Sequence, residues 1–381
     1  MRRDSSPTPS VSRGKGSFRF LLTVAAALAL AACSPATSAP TSSPALTPAP
    51  SISSPSVTLA ASTQPTPAPT ASPTIPVATA AATPTTSAIT VTDDEGTTVT
   101  LAAPPNKVIS LTPATSELMF ALGAGDRLVG RTDSDDYPAQ VSSVPAVATF
   151  QGVEMEKVVN IGPDLVLAGG DGFTSAADIK RMRDLGFPVL VLYAKDVPGV
   201  LADIRLVGQA VGEESAASSI ATSIKAQIDQ VTQAVADLPQ PRTFYEIGDD
   251  PELYGPAPDS FVADMVTLAG GDAVTTTDPS VFSIPVERLV SVDPQVIVLG
   301  DAAYGTCPDT VAARPGWEGI TAVRNGDIEP VDDTIVTRPG PRIGDGLVAL
   351  ALAIHPDAAL SAPADAVAYC TAGPSPSPSP S

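Results

Sequence analysis

One pattern occurs twice in this 381-residue chain. Residues 156–169 read EKVVNIGPDLVLAG and residues 287–300 read ERLVSVDPQVIVLG, 131 positions apart. Four residue types return at matching places: Glu156 and Glu287, Val159 and Val290, Pro163 and Pro294, Gly169 and Gly300. Each copy predicts a short amphipathic helix, a proline that stops it, and an apolar strand ending in glycine. A weaker echo precedes each copy, ELMFALGAGD at 117–126 and VADMVTLAGGD at 262–272. Both echoes are helix ends running into small residues and an aspartate. Two similar α/β units in one chain predict two α/β lobes, and the cleft between lobes is a common ligand site.

The ends of the chain are not part of those lobes. Arg2, Arg3, Arg13, Lys15 and Arg19 form a positive region opposed only by Asp4, and the apolar run FLLTVAAALALAA then reaches Cys33. The run is short for a membrane span and has the flanks of a secretory signal, so 1–32 reads as a signal peptide. Leu30-Ala31-Ala32-Cys33 resembles a bacterial lipobox, which implies cleavage before Cys33 and a lipid on its sulfur. The competing reading is an ordinary signal peptide with an incidental cysteine. From Cys33 to 88 the chain is almost wholly Ser, Thr, Ala and Pro without charge. Such a stretch buries too little apolar surface to offset its ordering entropy, so it reads as a disordered tether. GPSPSPSPS at 373–381 reads as a disordered tail. About 285 residues remain, enough for two domains of common size.

The formal charge of −20 leaves no basic face for phosphate contacts, which excludes nucleic-acid binding. After Cys33 no apolar run is long enough to span a bilayer. Cys307 and Cys370 then remain in a chain that leaves the cytoplasm, where a disulfide between them would persist; their spacing alone does not show whether they pair.

Within the folded part, 89–101 predicts a hairpin turning at Asp93-Asp94-Glu95-Gly96. Strands follow at 107–111, 127–131 and 188–193, with helices at 115–122 and 176–185. Helices alternating with apolar strands indicate a mostly parallel sheet. These elements make an N-terminal lobe over 89–196. A helical connector covers 197–240. Its second helix carries Ala217, Ile220, Ile224, Ile228, Val231 and Val235 as one stripe. At about 1.5 Å per residue it spans roughly 35 Å, enough to join two lobes by one long rigid helix. The C-terminal lobe, 241–372, begins with a strand at 242–248 and a helix near 259–268. It ends on a helix at 342–356.

These residues resemble the periplasmic binding proteins that serve ABC importers of cobalamin, haem and ferric siderophores. The resemblance rests on NKVISLTPATSELMFALGAGDRLVGRTDSDDYP, on FQGVEMEKVVNIGPDLVLAG, on the second repeat copy and on the closing RPGPRI. It implies two α/β lobes joined by one long helix, with no catalysis. Its partners would be an ABC permease with its ATPase and a small-molecule chelate. The protein would be a monomer outside the cytoplasm, held to the cell membrane by lipid alone. Cobalamin binders are closest in local pattern, through Asp136-Tyr137-Pro138 and Phe150-Gln151-Gly152. Two positions depart: the tryptophan before Gln-Gly is Phe150 here, and an aromatic after the strand is Gly169. The expected cargo is therefore a cobalamin-like corrinoid, with a ferric siderophore or haem as the alternative. From another class, a ligand sensor or an extracytoplasmic hydrolase is the competing reading.

The candidate ligand contacts are Tyr137, Phe150, Phe173, Tyr254, Phe282, Arg338 and Arg342, all on loops at strand or helix ends. Aromatics are only 4% of the chain, so their concentration on such loops points to a flat or partly apolar ligand. The competing reading is core packing for the aromatics and a solvated helix entrance for the arginines. The resemblance implies that Glu156 and Glu287 dock on the permease; in a first turn each also favours the helix dipole. His355, the only histidine, reads as a residue meeting the last carbonyls of its helix. One imidazole excludes the multi-histidine metal sites of zinc or manganese binders, and no metal or resident cofactor is expected. The acidic run at 133–136 reads as a solvated loop, and GGDG at 169–172 as a turn too incomplete for a nucleotide fingerprint.

Overall fold

A computed structural model describes residues 88–170, 172–364 and 369–370. The signal peptide, Cys33, the tether up to 87 and the tail lie outside the described residues. β1 (Ile89–Thr92) and β2 (Thr98–Leu101) form the expected antiparallel hairpin. Its turn is stapled to the first lobe, because Asp93 accepts from the backbone of Val191 and Asp94 from that of Tyr193.

The first sheet contains β3 (Val108–Ser110), β4 (Leu128–Thr132), β5 (Ala146–Thr149), β6 (Gly152–Val153), β7 (Leu165–Gly169) and β8 (Val189–Leu192). Their order is β6-β5-β4-β3-β7-β8, parallel except for the β5–β6 pair. α1 (Pro113–Ala121), α2 (Met155–Ile161) and α3 (Ala176–Asp184) cover it. Thr112 caps α1 through its side chain and a proline sits in the first turn, the combination that starts a helix well. α4 (Val197–Val211) and α5 (Glu214–Val235) then pack together as a helical hairpin turned at Gly212.

The second sheet, of order β10-β9-β11-β12, is wholly parallel. Its strands are β9 (Arg242–Glu246), β10 (Asp272–Ala273), β11 (Val296–Leu299) and β12 (Ile328–Pro330). Its helices are α6 (Phe261–Leu268), α7 (Val286–Val292), α8 (Pro308–Ala312), α9 (Thr321–Asn325), α10 (Asp333–Val336) and α11 (Ile343–Ile354). The structure joins Cys307 to Cys370, with Cα atoms 5.6 Å apart. This bond ties the loop after β11 to the end of the fold.

The strand period of two divides the core. Val166, Ala168, Val189 and Val191 face a cluster private to the first lobe, and Phe244, Ile297 and Leu299 face one private to the second. The alternate residues, Leu165, Leu167 and Leu190 on one side and Tyr245, Val296 and Val298 on the other, belong to one continuous core. That core also takes in Ile204, Val207, Ile224 and Val231 of the connector and Leu347 and Leu350 of α11. Strands buried on both faces explain the near-continuous apolar runs of the repeat. A shared core across both lobes opposes wide opening of the cleft, because separating them would expose apolar surface.

Three expectations are refined. The repeated helices end two residues before proline, and the intervening caps Gly162 and Asp293, equivalent in the two copies, both take left-handed backbone at φ 59° and 53°. Asp293 tolerates this while its carboxylate accepts from the backbone and hydroxyl of Thr321. The ring of His355 does not serve its own helix; it reaches the carbonyl of Gly270 at 3.1 Å. The acidic run is not simply solvated either. Asp135 is buried and held by the hydroxyls of Ser116 and Thr132, and desolvation pushes its carboxyl up.

Candidate functional site

The carboxyl ends of the parallel strands in both sheets lead into the loops that carry the candidate residues. This is the edge where open α/β sheets hold ligands. In the first lobe Tyr137 follows β4, Phe150 follows β5 and Phe173 follows β7. In the second, Tyr254 follows β9, while Arg338 and Arg342 lie between α10 and α11. The two edges face each other, because ion pairs join them directly. Arg338 donates to Asp136 through both terminal nitrogens, at 2.5 and 3.0 Å, and to Glu117 at 3.1 Å. Arg342 holds Glu117 with two bonds of 2.8 and 2.6 Å.

The arginines do not form a solvated helix entrance: each is paired with carboxylates of the opposite lobe, at the edge where the ligand contacts were expected. Glu117 belongs to α1 and its side chain is 2% exposed, whereas that of Asp136 is 59% exposed. The Arg338 hydrogen bonds hold the Asp136 carboxyl below its ordinary range. Tyr137 completes the cluster, its ring centre lying 4.0 Å from the Arg342 guanidinium.

The aromatics divide into exposed tips and a braced pair. Phe150 stands fully exposed at the turn of the β5–β6 hairpin. The hairpin escapes sequence reasoning because its strands are too short to show alternation. Phe173 is 67% exposed and folds over Gly169, where an added Cβ would lie 2.6 Å from that of Phe173. The missing aromatic at 169 thus leaves room for this one. Tyr254 is half-buried, bridged by backbone to Gly248 and Ser283, which places it beside the exposed Phe282.

Sequence reasoning missed Tyr304, 88% exposed on the loop after β11. The signal was present, since Tyr304 follows Gly300 by four positions as Phe173 follows Gly169. The repeat thus places one exposed aromatic on each facing edge. Glu117 and Asp136 were missed as site residues as well.

The second lobe's edge is acidic. Glu246 ends β9, Asp301 follows β11 and Asp333 follows β12; burial pushes all three carboxyls up. Arg314 binds Glu246 with two bonds of 2.7 and 2.6 Å and also reaches Asp249. Tyr245 donates to Asp333 at 2.9 Å. Glu156 and Glu287 are exposed in the first turns of α2 and α7 and form no ion pair among the described residues. No helix among the described residues is long and apolar enough to cross a membrane.

Residues 108–333 match the family described as Periplasmic binding protein. An uncharacterized ABC transporter substrate-binding lipoprotein of Bacillus subtilis is 32% identical over 256 residues, covering 66% of this chain and 80% of that protein. A cobalamin-binding protein of Halobacterium salinarum is 28% identical over 260 residues, covering 65% of this chain and 69% of its own length. Among solved structures, the periplasmic heme-binding protein of Roseiflexus sp. RS-1 superposes with a TM-score of 0.58 at 22% identity. The match covers 66% of this chain and 98% of that one, and likeness at this identity speaks for the fold.

Proposed function

Because this chain belongs to the periplasmic binding protein family, we propose that it is the substrate-binding lipoprotein of an ABC importer and that its cargo is a cobalamin-like corrinoid. The observation that carries the reading is the pair of facing edges, with exposed Phe150 and Phe173 on one lobe and Tyr304 and Phe282 on the other. A flat macrocycle offers its faces to such rings, and a fringe of amides finds donors and acceptors in the arginine–carboxylate cluster between them. The similarity to a cobalamin-binding protein supports this cargo. The haem-binding neighbour keeps haem, and with it a ferric siderophore, as the second reading. A hydrolase draws no comparable support, since the one histidine is buried against the Gly270 carbonyl and no GxSxG motif accompanies it. The paired Glu156 and Glu287 favour the importer over a sensor.

In this reading Cys33 carries the lipid that holds the protein to the membrane, and Glu156 and Glu287 dock one lobe each on the permease. The protein acts as a monomer. Native mass spectrometry with visible absorption, on protein purified from its own host, tests the cargo. A corrinoid mass with its absorption bands is expected; a haem or ferric chelate would replace the corrinoid, and failure to bind any of the three would overturn the reading. Docking is tested with Glu156→Lys, Glu287→Lys and the double variant. Uptake should fall while affinity in solution is kept, and normal uptake by the double variant would refute docking.

A further inference from the structure

The cleft arginines already carry carboxylates of their own protein. Arg342 and the buried Glu117 form a pair through two bonds. Arg338 is different. Its single bond to Glu117 is the longest of the cluster, and both terminal nitrogens of its fork are taken by the largely exposed Asp136. Arg338 also acts electrostatically on Asp333 of its own lobe. A ligand carboxylate entering here meets a guanidinium fork already holding the exposed carboxylate of Asp136, and two like charges would share it. An uncharged amide meets no such conflict, since its NH2 can donate to a spare lone pair of Asp136 and its carbonyl can accept from the second N–H of Arg338 Nη2, which donates only once within the cluster.

We infer that Asp136 is a specificity-determining residue of the cleft: by filling the fork of Arg338 it turns away carboxylate-bearing ligands in favour of amide-bearing or otherwise uncharged ones. This rests on the cleft being the ligand site proposed above.

The test compares the wild type with Asp136→Asn and with the double variant Asp136→Asn/Arg338→Gln; Asp136→Ser serves if the asparagine protein does not fold. The first probe is succinate, read as a change in melting temperature against potassium chloride of equal ionic strength. Succinate should stabilise Asp136→Asn and leave the wild type and the double variant unmoved. Equal responses of wild type and Asp136→Asn would overturn the inference. The second readout is the affinity for haemin, which bears two carboxylates, relative to cyanocobalamin, whose fringe is amide. That ratio should rise about tenfold in Asp136→Asn, the worth of one charge-assisted hydrogen bond. With both probes bound, an unchanged ratio also overturns the inference. If no variant binds either macrocycle, the cargo reading falls while the succinate comparison still decides the role of Asp136.

Discussion

The first lobe meets the cleft with Glu117 on α1 and Asp136 after β4, whereas the second meets it with Arg338 and Arg342 before α11. Behind that contrast stands the same unit. Each lobe has an exposed glutamate in a short helix, a left-handed residue before proline, a buried strand and an exposed aromatic four positions beyond its glycine. The duplicated features serve each lobe separately. The features that differ are those that must complement across the gap, because two identical edges would set like charges face to face.

Removing the buried member of the cluster should break that complementarity most severely. Glu117→Ala leaves two arginines without their shared carboxylate and should cost about 3–5 kcal/mol of stability. Asp136→Ala, at the exposed end, should cost no more than about 1 kcal/mol. Denaturant unfolding of both variants measures the difference, and equal losses would mean that burial does not distinguish them.

The duplicated aromatics sharpen the comparison from the other side. Phe173→Ala and Tyr304→Ala should each weaken cyanocobalamin binding by roughly 1–3 kcal/mol, read by calorimetry. Matching losses indicate a ligand held symmetrically between the lobes. An effect from Phe173 alone would mean that the second edge reads the ligand through Tyr254 and Phe282 instead.

The smallest expected effect concerns how the connector meets each lobe. On the first-lobe side Asp203 of α4 is buried, and desolvation together with the neighbouring Asp94 raises its pKa to about 8. On the second-lobe side, Gln227 of α5 donates a neutral amide to Asp345 at 2.8 Å. An acid with a raised folded-state pKa destabilises the fold once it ionises. Its neutral form is favoured by folding, so stability is full below the ordinary value of 3.8 and is lost as pH rises through about 8. The wild type should therefore lose roughly 1 kcal/mol between about pH 7 and pH 9, and Asp203→Asn should flatten that slope. Melting curves across this range check it; the same slope in Asp203→Asn would assign the pH dependence to other groups.

Much of the architecture was legible in the chain. The repeat, the α/β alternation and the apolar stripe of α5 are periodic signals, and the buried Ala217, Ile224, Val231 and Val235 lie on that stripe. The β5–β6 hairpin was not legible, because strands of four and two residues are too short to display a period. Tyr304 was within reach of the 131-residue shift of the repeat, which carries Phe173 onto it, had the repeat been followed past its glycine. Glu117 was beyond reach. An acid inside the apolar run ELMFALG reads as a solvent-facing helix residue, and its partners lie 221 and 225 positions away.

The sequence by itself determined the two-unit plan, the strand and helix periods, the prolines that stop the repeated helices, and the placing of Tyr137, Phe150 and Phe173 on loops after strands. Those properties depend on φ, ψ and neighbours within a few residues. Only the tertiary structure decided that the arginines answer to acids of the other lobe. It alone decided that Asp135 and Asp203 are buried and that one core runs through both sheets. Each of these depends on which surfaces exclude water from which, and that is settled by contacts between residues far apart in the chain.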